Sequence, residues 1–447
     1  MPDGEFESHQ DAAGSRLLPR VLFVSVNPFS STSNNGKTFA SFFEGYPSES
    51  IAQLYFHREL PSSPVCDNYF RITDEDILRS RLRPWRVTGQ RVSPAAPSAP
   101  PNPIPIPIPE KTHAVLKDSR TARLLRQAVW TQVRLENAQL VDWLDDFAPQ
   151  VIFFCGGDAA ALYPKVMALA DRYDARLAFY ITDDYVLPIP TRNQAARVMR
   201  WWTRKGFDRL TTQADLVLTI GEQMTRAYKA EFGFDSLPVM NMVDVPSAVP
   251  RPTALVEESL LIVYAGSMHS NRWRVLAGIA ASIERLSREG LAAKLVIYGP
   301  QPSNEVRAAV HRLPFAEVKG LLSSSELAEA IAKADALVHV ESDDPDSMAV
   351  TALSVSTKIP EYLASGRPIL AIGPRGLASI EYLRAAAAAL VVEPNDAAAL
   401  DEAIASLATE PARRQELAAR GLELAKKNHD ASRTRGVLWR HLKSIVR

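Results

Sequence analysis

The sequence predicts an α/β protein in two domains, and three observations carry that prediction. Short apolar runs such as Arg20-Val-Leu-Phe-Val-Ser-Val26, Val151-Ile-Phe-Phe-Cys155 and Leu260-Leu-Ile-Val-Tyr-Ala-Gly266 have the length and continuous hydrophobicity of strands buried on both faces of a parallel sheet. These runs alternate with segments of helical period, and polar or glycine-bearing loops follow them. At 447 residues the chain is too long for one core and suits two domains of ordinary size.

Composition narrows the function classes. Lys plus Arg and Asp plus Glu balance at 51 each, so no global field draws the chain to nucleic acid, and any anionic partner must use a local patch. Cys66 and Cys155 are the only cysteines, which fits a reducing compartment and argues against a disulfide scaffold or a cysteine-rich metal site. Met1 to Arg20 is polar and lacks the pattern of a signal peptide. No apolar run has the length to span a bilayer, and a cytoplasmic protein is expected.

In order along the chain, the strand 20–26 leads into the polar loop Asn27 to Thr38 and a helix at Phe39 to Glu44. Ile51 to Phe56 reads as a second strand. Leu78 to Arg91 is arginine-rich around Trp85, and residues 94–109 hold a proline at half their positions, so they form an extended spacer or a loop. One long amphipathic helix is expected over Ser119 to Phe147, with Leu125, Val129, Val133, Leu140, Val141 and Leu144 as its apolar stripe. The strand at Leu177 to Ile181 closes on Thr182-Asp183-Asp184-Tyr185. Open α/β sheets place ligands at such carboxyl ends, so Asp183 and Asp184 are candidates for an acceptor hydroxyl or, equally, for a helix cap. Arg192 to Arg209 sets Arg197, Arg200, Arg204 and Lys205 around Trp201 and Trp202, a pattern that suits an anionic interface or an ordinary surface helix.

The second half restarts at Leu260. Its first strand ends in Gly266 and runs through Ser267 to a helix near Arg272 and Arg274, an arrangement that favours anions but contains no Gly-x-Gly-x-x-Gly. Strands follow at Lys294 to Gly299 and Ala336 to Val340. The loop Glu341 to Asp346 contains Asp-x-Asp, which a metal could use, although a plain loop is the simpler reading. Ser354 to Ala371 then joins a polar loop, a short helix and a strand. Ser356 and Thr357 are suited to cap that helix, Lys358 stands beside its N-terminus, Glu361 lies one turn in, and Gly366 ends it. An anion fits the N-terminus, and a carboxylate at Glu361 can hold a pair of sugar hydroxyls.

The run Thr357-Lys-Ile-Pro-Glu-Tyr-Leu-Ala-Ser-Gly-Arg-Pro-Ile-Leu370 resembles the donor-binding segment of retaining glycosyltransferases with the GT-B fold, of the family 4 type. The spacing of elements from about residue 260 to about 424 continues the likeness. The resemblance implies two Rossmann-like domains facing across a cleft. The boundaries are a disordered lead over 1–18, an acceptor domain over 19–240, a linker over 241–258, a nucleotide-sugar domain over 259–424 and a last helix over 425–447 returning to the first domain. It implies that Glu361 holds the donor ribose, that Gly266, Ser267, Arg272, Arg274, Ser356, Thr357 and Lys358 surround the diphosphate, and that Gly36 touches the diphosphate or the acceptor. Asp183, Asp184 and Arg272 take the catalytic positions.

The activity implied is metal-independent transfer of a sugar from a nucleotide sugar to a glycan, a lipid-linked acceptor or a small molecule, as in polysaccharide biosynthesis, with no cofactor beyond the donor. Peripheral contact with the inner membrane face is added by the basic aromatic segments. Two alternatives stay open on the residues. Leu353 stands where the commonest family pattern has a second glutamate, which suits a non-catalytic GT-B partner protein that binds a nucleotide sugar or glycan. Gly36-Lys37-Thr38 suits a P-loop NTPase, although Ser31 stands where the first glycine of that motif belongs.

Overall fold

The computed structural model describes residues 18–31, 34–82, 89–94, 120–132, 135, 137–189, 193–247 and 259–446. The lead 1–18 and the proline-rich stretch 94–109 lie almost wholly outside the described residues, as does 248–258 of the expected linker.

Two sheets organise the chain. The first holds β1 (Val21–Ser25), β2 (Ile51–Tyr55), β3 (Tyr69–Arg71), β4 (Gln90–Val92), β5 (Val151–Cys155), β6 (Arg176–Ile181), β7 (Leu216–Thr219) and β8 (Leu237–Pro238) in the order β4-β3-β2-β1-β5-β6-β7-β8. β1 pairs in parallel with β2 and β5, in register from Val21 to Ser25, while the edge pair β3–β4 is antiparallel. The second sheet holds β9 (Leu260–Ala265), β10 (Ala293–Tyr298), β11 (Ala316–Lys319), β12 (Ala336–Val340), β13 (Ile369–Ile372) and β14 (Leu390–Val392) in the order β11-β10-β9-β12-β13-β14, and its pairs are parallel. That is the strand order of a Rossmann sheet, and its direction of winding reverses between β9 and β12. The continuous apolar runs are explained by this geometry, because Val21 to Val24, Ile152 to Phe154 and Leu337 to Val338 are covered on both faces and fully buried.

The chain divides into two compact units, one of Met1–Tyr180, Trp201–Val217 and Arg435–Arg447, the other of Ile181–Arg200 and Leu218–Thr434. This differs from the expected boundaries at 240, 258 and 424. Residues 181–200 group with the second unit through bonds such as Asp184 N–H to Val350 O at 3.1 Å and Ser354 Oγ to Asp183 Oδ1 at 2.8 Å. Residues 425–434 stay there too, since Val243 N–H donates to His429 O at 2.9 Å and Ala431 N–H donates back to Val243 O at 3.1 Å.

In the first unit an aromatic core forms around Phe23, whose ring lies 5.0 to 5.7 Å from those of Phe29, Phe39, Phe43 and Phe153. The helix expected at Phe39 starts earlier and runs Asn34–Ser41, so Gly36 lies inside a helix. A β-carbon there would stand 2.3 Å from Pro28 O and 2.7 Å from Ser30 Cβ, so Gly36 serves close packing of the helix on the preceding loop. The long helix expected over 119–147 is two helices, Arg120–Thr131 and Ala138–Phe147. Asn137 interrupts it because its side chain accepts the Leu140 amide at 3.1 Å and caps the second helix. The apolar stripe shifts accordingly: Leu125 is 64% exposed, whereas Gln127 and Trp130 are buried.

Candidate functional site

In an open α/β sheet the crevice where the winding reverses is the place for a ligand, and here it lies beyond the carboxyl ends of β9 and β12. β9 delivers Gly266 and Ser267, and the helix Arg272–Arg288 follows them; β12 delivers Glu341 and Ser342. Two glycines let backbones meet at this point. A β-carbon on Gly299, at the end of β10, would collide with Gly266 O at 2.1 Å, and one on Gly266 would lie 2.9 Å from Lys358 Nζ. The Lys358 ammonium is therefore laid directly against the Gly266 backbone. Tyr264 Oη donates to Ser267 O at 2.8 Å and fixes the turn that follows.

Arg272 and Lys358 form the cationic part of the site. Arg272 is the first residue of its helix, and its Nη2 faces Glu341 Oε2 at 3.6 Å, while its buried Nε has no hydrogen-bond partner. Burial and the neighbouring Arg272 charge lower the Lys358 pKa, and the charges of Glu361 and Glu341 oppose that shift. An anion entering between the two cations would favour the charged form of Lys358 and oppose the lowering of its pKa.

Behind them sits a buried carboxylate. Glu341 Oε1 lies 3.0 Å from His339 Nε2, and both residues are about 5% exposed. Burial alone would raise the Glu341 pKa, but His339, the Ser379 hydroxyl and Arg272 hold it down at about 2, so the carboxylate is ionised throughout the working range. Gly373 makes room for it, since a β-carbon there would come within 2.8 Å of Glu341 Cβ.

The segment 354–371 is organised by the helix Ile359–Ala364, which departs from expectation at its start. Neither Ser356 nor Thr357 caps it with a side chain. Lys358 is the residue before the first turn, Pro360 sits within that turn with its fixed φ, and the Ser356 carbonyl accepts the Ile359 amide at 3.1 Å. Thr357 is exposed, and the Ser356 amide is directed to Ser379 Oγ at 3.0 Å. Glu361 is half-buried one turn further on and exerts its charge on Lys358. Tyr362 is buried, and Gly366 ends the segment with φ +69°, a conformation glycine adopts without strain.

Other sequence candidates fall elsewhere. Arg274 lies two positions after Arg272, roughly 200° around the helix, and it is exposed with its guanidinium 5.6 Å from the Trp273 ring. Asp184 is buried and occupied: its Oδ1 accepts from Val186 N–H, Leu187 N–H and Tyr228 Oη, each at 3.0 Å, and its Oδ2 meets Arg200 at 3.4 Å. It closes the turn after β6 instead of facing a ligand or capping a helix. Asp183 is half-buried beside it and accepts from Ser354 Oγ. In the Asp-x-Asp loop the Asp344 carboxylate accepts the Ser347 amide at 2.9 Å and caps the helix Pro345–Thr351. A cavity of about 250 Å³ opens alongside, lined by Met268, His269, Ser270, Asn271, Trp273, Ser303 and Asp344 among others.

Sequence reasoning passed over His339, Glu341 as a buried ion, and Ser379. In the first unit it passed over Gln53, which is fully buried in β2, accepts the Phe29 amide at 2.8 Å and donates to Ser25 Oγ and Asn27 O, thereby holding the loop after β1. A polar side chain inside an otherwise apolar strand is the one signal that would have found Gln53.

With this geometry described, the comparisons with known proteins acquire a structural meaning. Residues 259–410 match the family described as glycosyl transferases group 1. None of the curated proteins compared matches the sequence. Among solved structures, sucrose-phosphate synthase from Thermosynechococcus elongatus is similar at 14% identity and TM-score 0.61, over 95% of this chain and 99% of that one. The trehalose 6-phosphate synthase of Burkholderia multivorans is similar at 13% identity and TM-score 0.61, over 96% and 99%. Anabaena HepE, solved with UDP and glucose, is similar at 11% identity and TM-score 0.59, over 95% and 100%. The fold is thus GT-B, with two parallel-sheet domains, and the matched family segment contains Gly266, Arg272, Glu341, Lys358 and Glu361.

Proposed function

We propose that this chain is a glycosyltransferase that takes a sugar from a nucleoside diphosphate donor and passes it, with retention of configuration and without a divalent metal, to a glycan, lipid-linked or small-molecule acceptor. The observation that carries the reading is the Lys358 ammonium laid against the Gly266 backbone, with the Arg272 charge near enough to act on it, in the β9–β12 crevice of a segment that matches group 1 glycosyl transferases. Departure of a nucleoside diphosphate develops negative charge on its phosphate oxygens. Two cations and an unpartnered Nε–H in a partly desolvated crevice stabilise that charge where it forms. In this reading Glu361, one turn beyond Lys358, accepts two hydroxyls of the ribose, a role supported by its position in the first turn of the helix. HepE was solved with UDP and glucose, so uridine diphosphate sugars are the first donors to try.

The test is a thermal-shift screen of UDP, ADP, GDP and dTDP and their sugars, followed by calorimetry on Glu361→Ala. A ligand of the site raises the melting temperature according to its affinity. Loss of two hydrogen bonds to a charged group should weaken the free diphosphate and the donor alike by roughly tenfold or more. Chelator should leave turnover intact. Binding without turnover would favour a partner protein that only holds the nucleotide sugar, and magnesium-dependent ATP hydrolysis would favour a P-loop enzyme. Unchanged affinity in Glu361→Ala would remove the ribose assignment.

A further inference from the structure

We infer that Glu341 is a positioning residue for Arg272, and that Ser379 holds the neighbouring segment 354–356 against the helix Ala378–Ala385. The inference rests on the nucleotide-sugar reading and deepens it. Four observations converge on this carboxylate. Its Oε2 is 3.6 Å from Arg272 Nη2, and its Oε1 is 3.0 Å from His339 Nε2. Gly373 leaves the space it occupies, and its own amide donates to Ile372 O at 2.9 Å, which anchors it at the mouth of the β12–β13 pair. Nearby, Ser379 Oγ accepts the Ser356 amide at 3.0 Å and donates to Ser354 O at 3.2 Å, so one hydroxyl ties the loop before Lys358 to the helix Ala378–Ala385.

The geometry makes a prediction whose sign is diagnostic. A carboxylate beside an anion site repels the anion, so if Glu341 acted through charge alone, neutralising it would tighten binding of a diphosphate. If it holds the Arg272 guanidinium in place, the same change lets that side chain disperse over its rotamers and weakens binding. A 3.6 Å ion pair with an unpartnered Nε suits the second case, because the guanidinium is oriented while its donors are left for a ligand.

Calorimetry with UDP, or with whichever of ADP, GDP and dTDP the wild type binds best, decides between these on Glu341→Gln, Ser379→Ala, Arg272→Ala and the double variant Glu341→Gln with Arg272→Ala. Glu341→Gln should weaken binding roughly tenfold in the wild-type background and have almost no further effect in Arg272→Ala, because contacting partners couple by that order. Ser379→Ala keeps every charge and should weaken binding by loosening 354–356. If Glu341→Gln does not fold, Glu341→Asp carries the test, since it keeps the charge but draws the carboxylate back from Arg272 and should weaken binding in the same direction. Tighter or unchanged binding in Glu341→Gln, or an equal loss with and without Arg272, overturns the inference. If the wild type binds no nucleoside diphosphate, the functional reading falls and this inference with it. If the wild type binds and Glu361→Ala weakens it while Glu341→Gln does not, only this inference falls.

Discussion

The Tyr362 hydroxyl accepts a hydrogen bond from the Ala265 amide at 3.0 Å, joining two residues 97 positions apart inside the second core. Tyr362 lies in the helix Ile359–Ala364 and Ala265 ends β9, so this one bond sets the helix against the strand that presents Gly266. Tyr362→Phe keeps the ring but leaves the Ala265 N–H buried without its partner, at a cost of about 1–3 kcal/mol. The denaturation midpoint should fall accordingly. Affinity for a nucleoside diphosphate should fall more than the stability loss alone requires, because Lys358 and Glu361 ride on the same helix. Equal affinity in the variant would show that the helix keeps its place without the bond.

The strands were the legible part of the fold, and the reason is physical. Residues buried on both faces of a parallel sheet must be apolar without interruption, so β1, β5, β9 and β12 stand out directly in the sequence. The division into two helices was not legible, because Leu140 and Leu144 extend the period begun by Val129 and only the local capping bond at Asn137 marks the start of the second helix. In the candidate site, the sequence singles out residues that carry a motif and passes over those packed behind them. Glu341 was visible only as part of an acidic loop. Its contacts with His339, Arg272 and Ser379 arise because β9, β12 and the helix Ala378–Ala385 converge, and no spacing in the sequence encodes that. Asp184 illustrates the converse, since its position after a strand suggests a ligand while Tyr228 and Arg200, 44 and 16 positions away, claim its oxygens.

A second prediction concerns the exposed face of the helix Gln194–Gln213. Trp201 is 60% exposed with Lys205 Nζ 4.8 Å from its ring, and Val198 and Arg197 are exposed on the preceding turn. Among the described residues no helix is long and apolar enough to cross a membrane. The protein should sediment with anionic vesicles at low salt and less so as salt screens the charge. Trp201→Ser with Lys205→Glu should reduce that binding by roughly fivefold or more. Absence of wild-type binding at low salt would point to an acceptor in solution.

His429 supplies a pH dependence. It is fully buried, its Nδ1 lies 2.8 Å from Asn241 O and its Nε2 lies 2.8 Å from Tyr382 Oη, so Nδ1 donates and Nε2 accepts in a neutral ring. Burial lowers its pKa from the ordinary 6.5 to about 4, against a smaller opposing effect of the Asn241 carbonyl. The unfolded chain therefore binds the proton first as pH falls. The stability that His429 contributes is complete above about 6.5, declines through the interval and is gone below about 4. The full loss is of order 3 kcal/mol. Urea midpoints at pH 7, 5 and 4 should show this slope in the wild type and a shallower one in His429→Gln. Parallel slopes would assign the acid sensitivity to other groups.

The first unit is not made of consecutive chain. Arg435–Arg447 belong to it, with Trp439 Nε1 donating to Phe42 O at 2.8 Å, the Trp439 ring 5.2 Å from that of Tyr46, and Leu438 and Leu442 fully buried. During synthesis the residues up to 217 emerge early, yet the helix that covers them is made only after the whole of 218–434. At ordinary elongation rates the delay is roughly ten to forty seconds. For that interval the surface around Phe42 and Tyr46 stays uncovered, while the second unit, continuous over most of its length, can close first. Until residues 435–447 are made, the nascent first unit therefore carries apolar surface of the kind that favours aggregation.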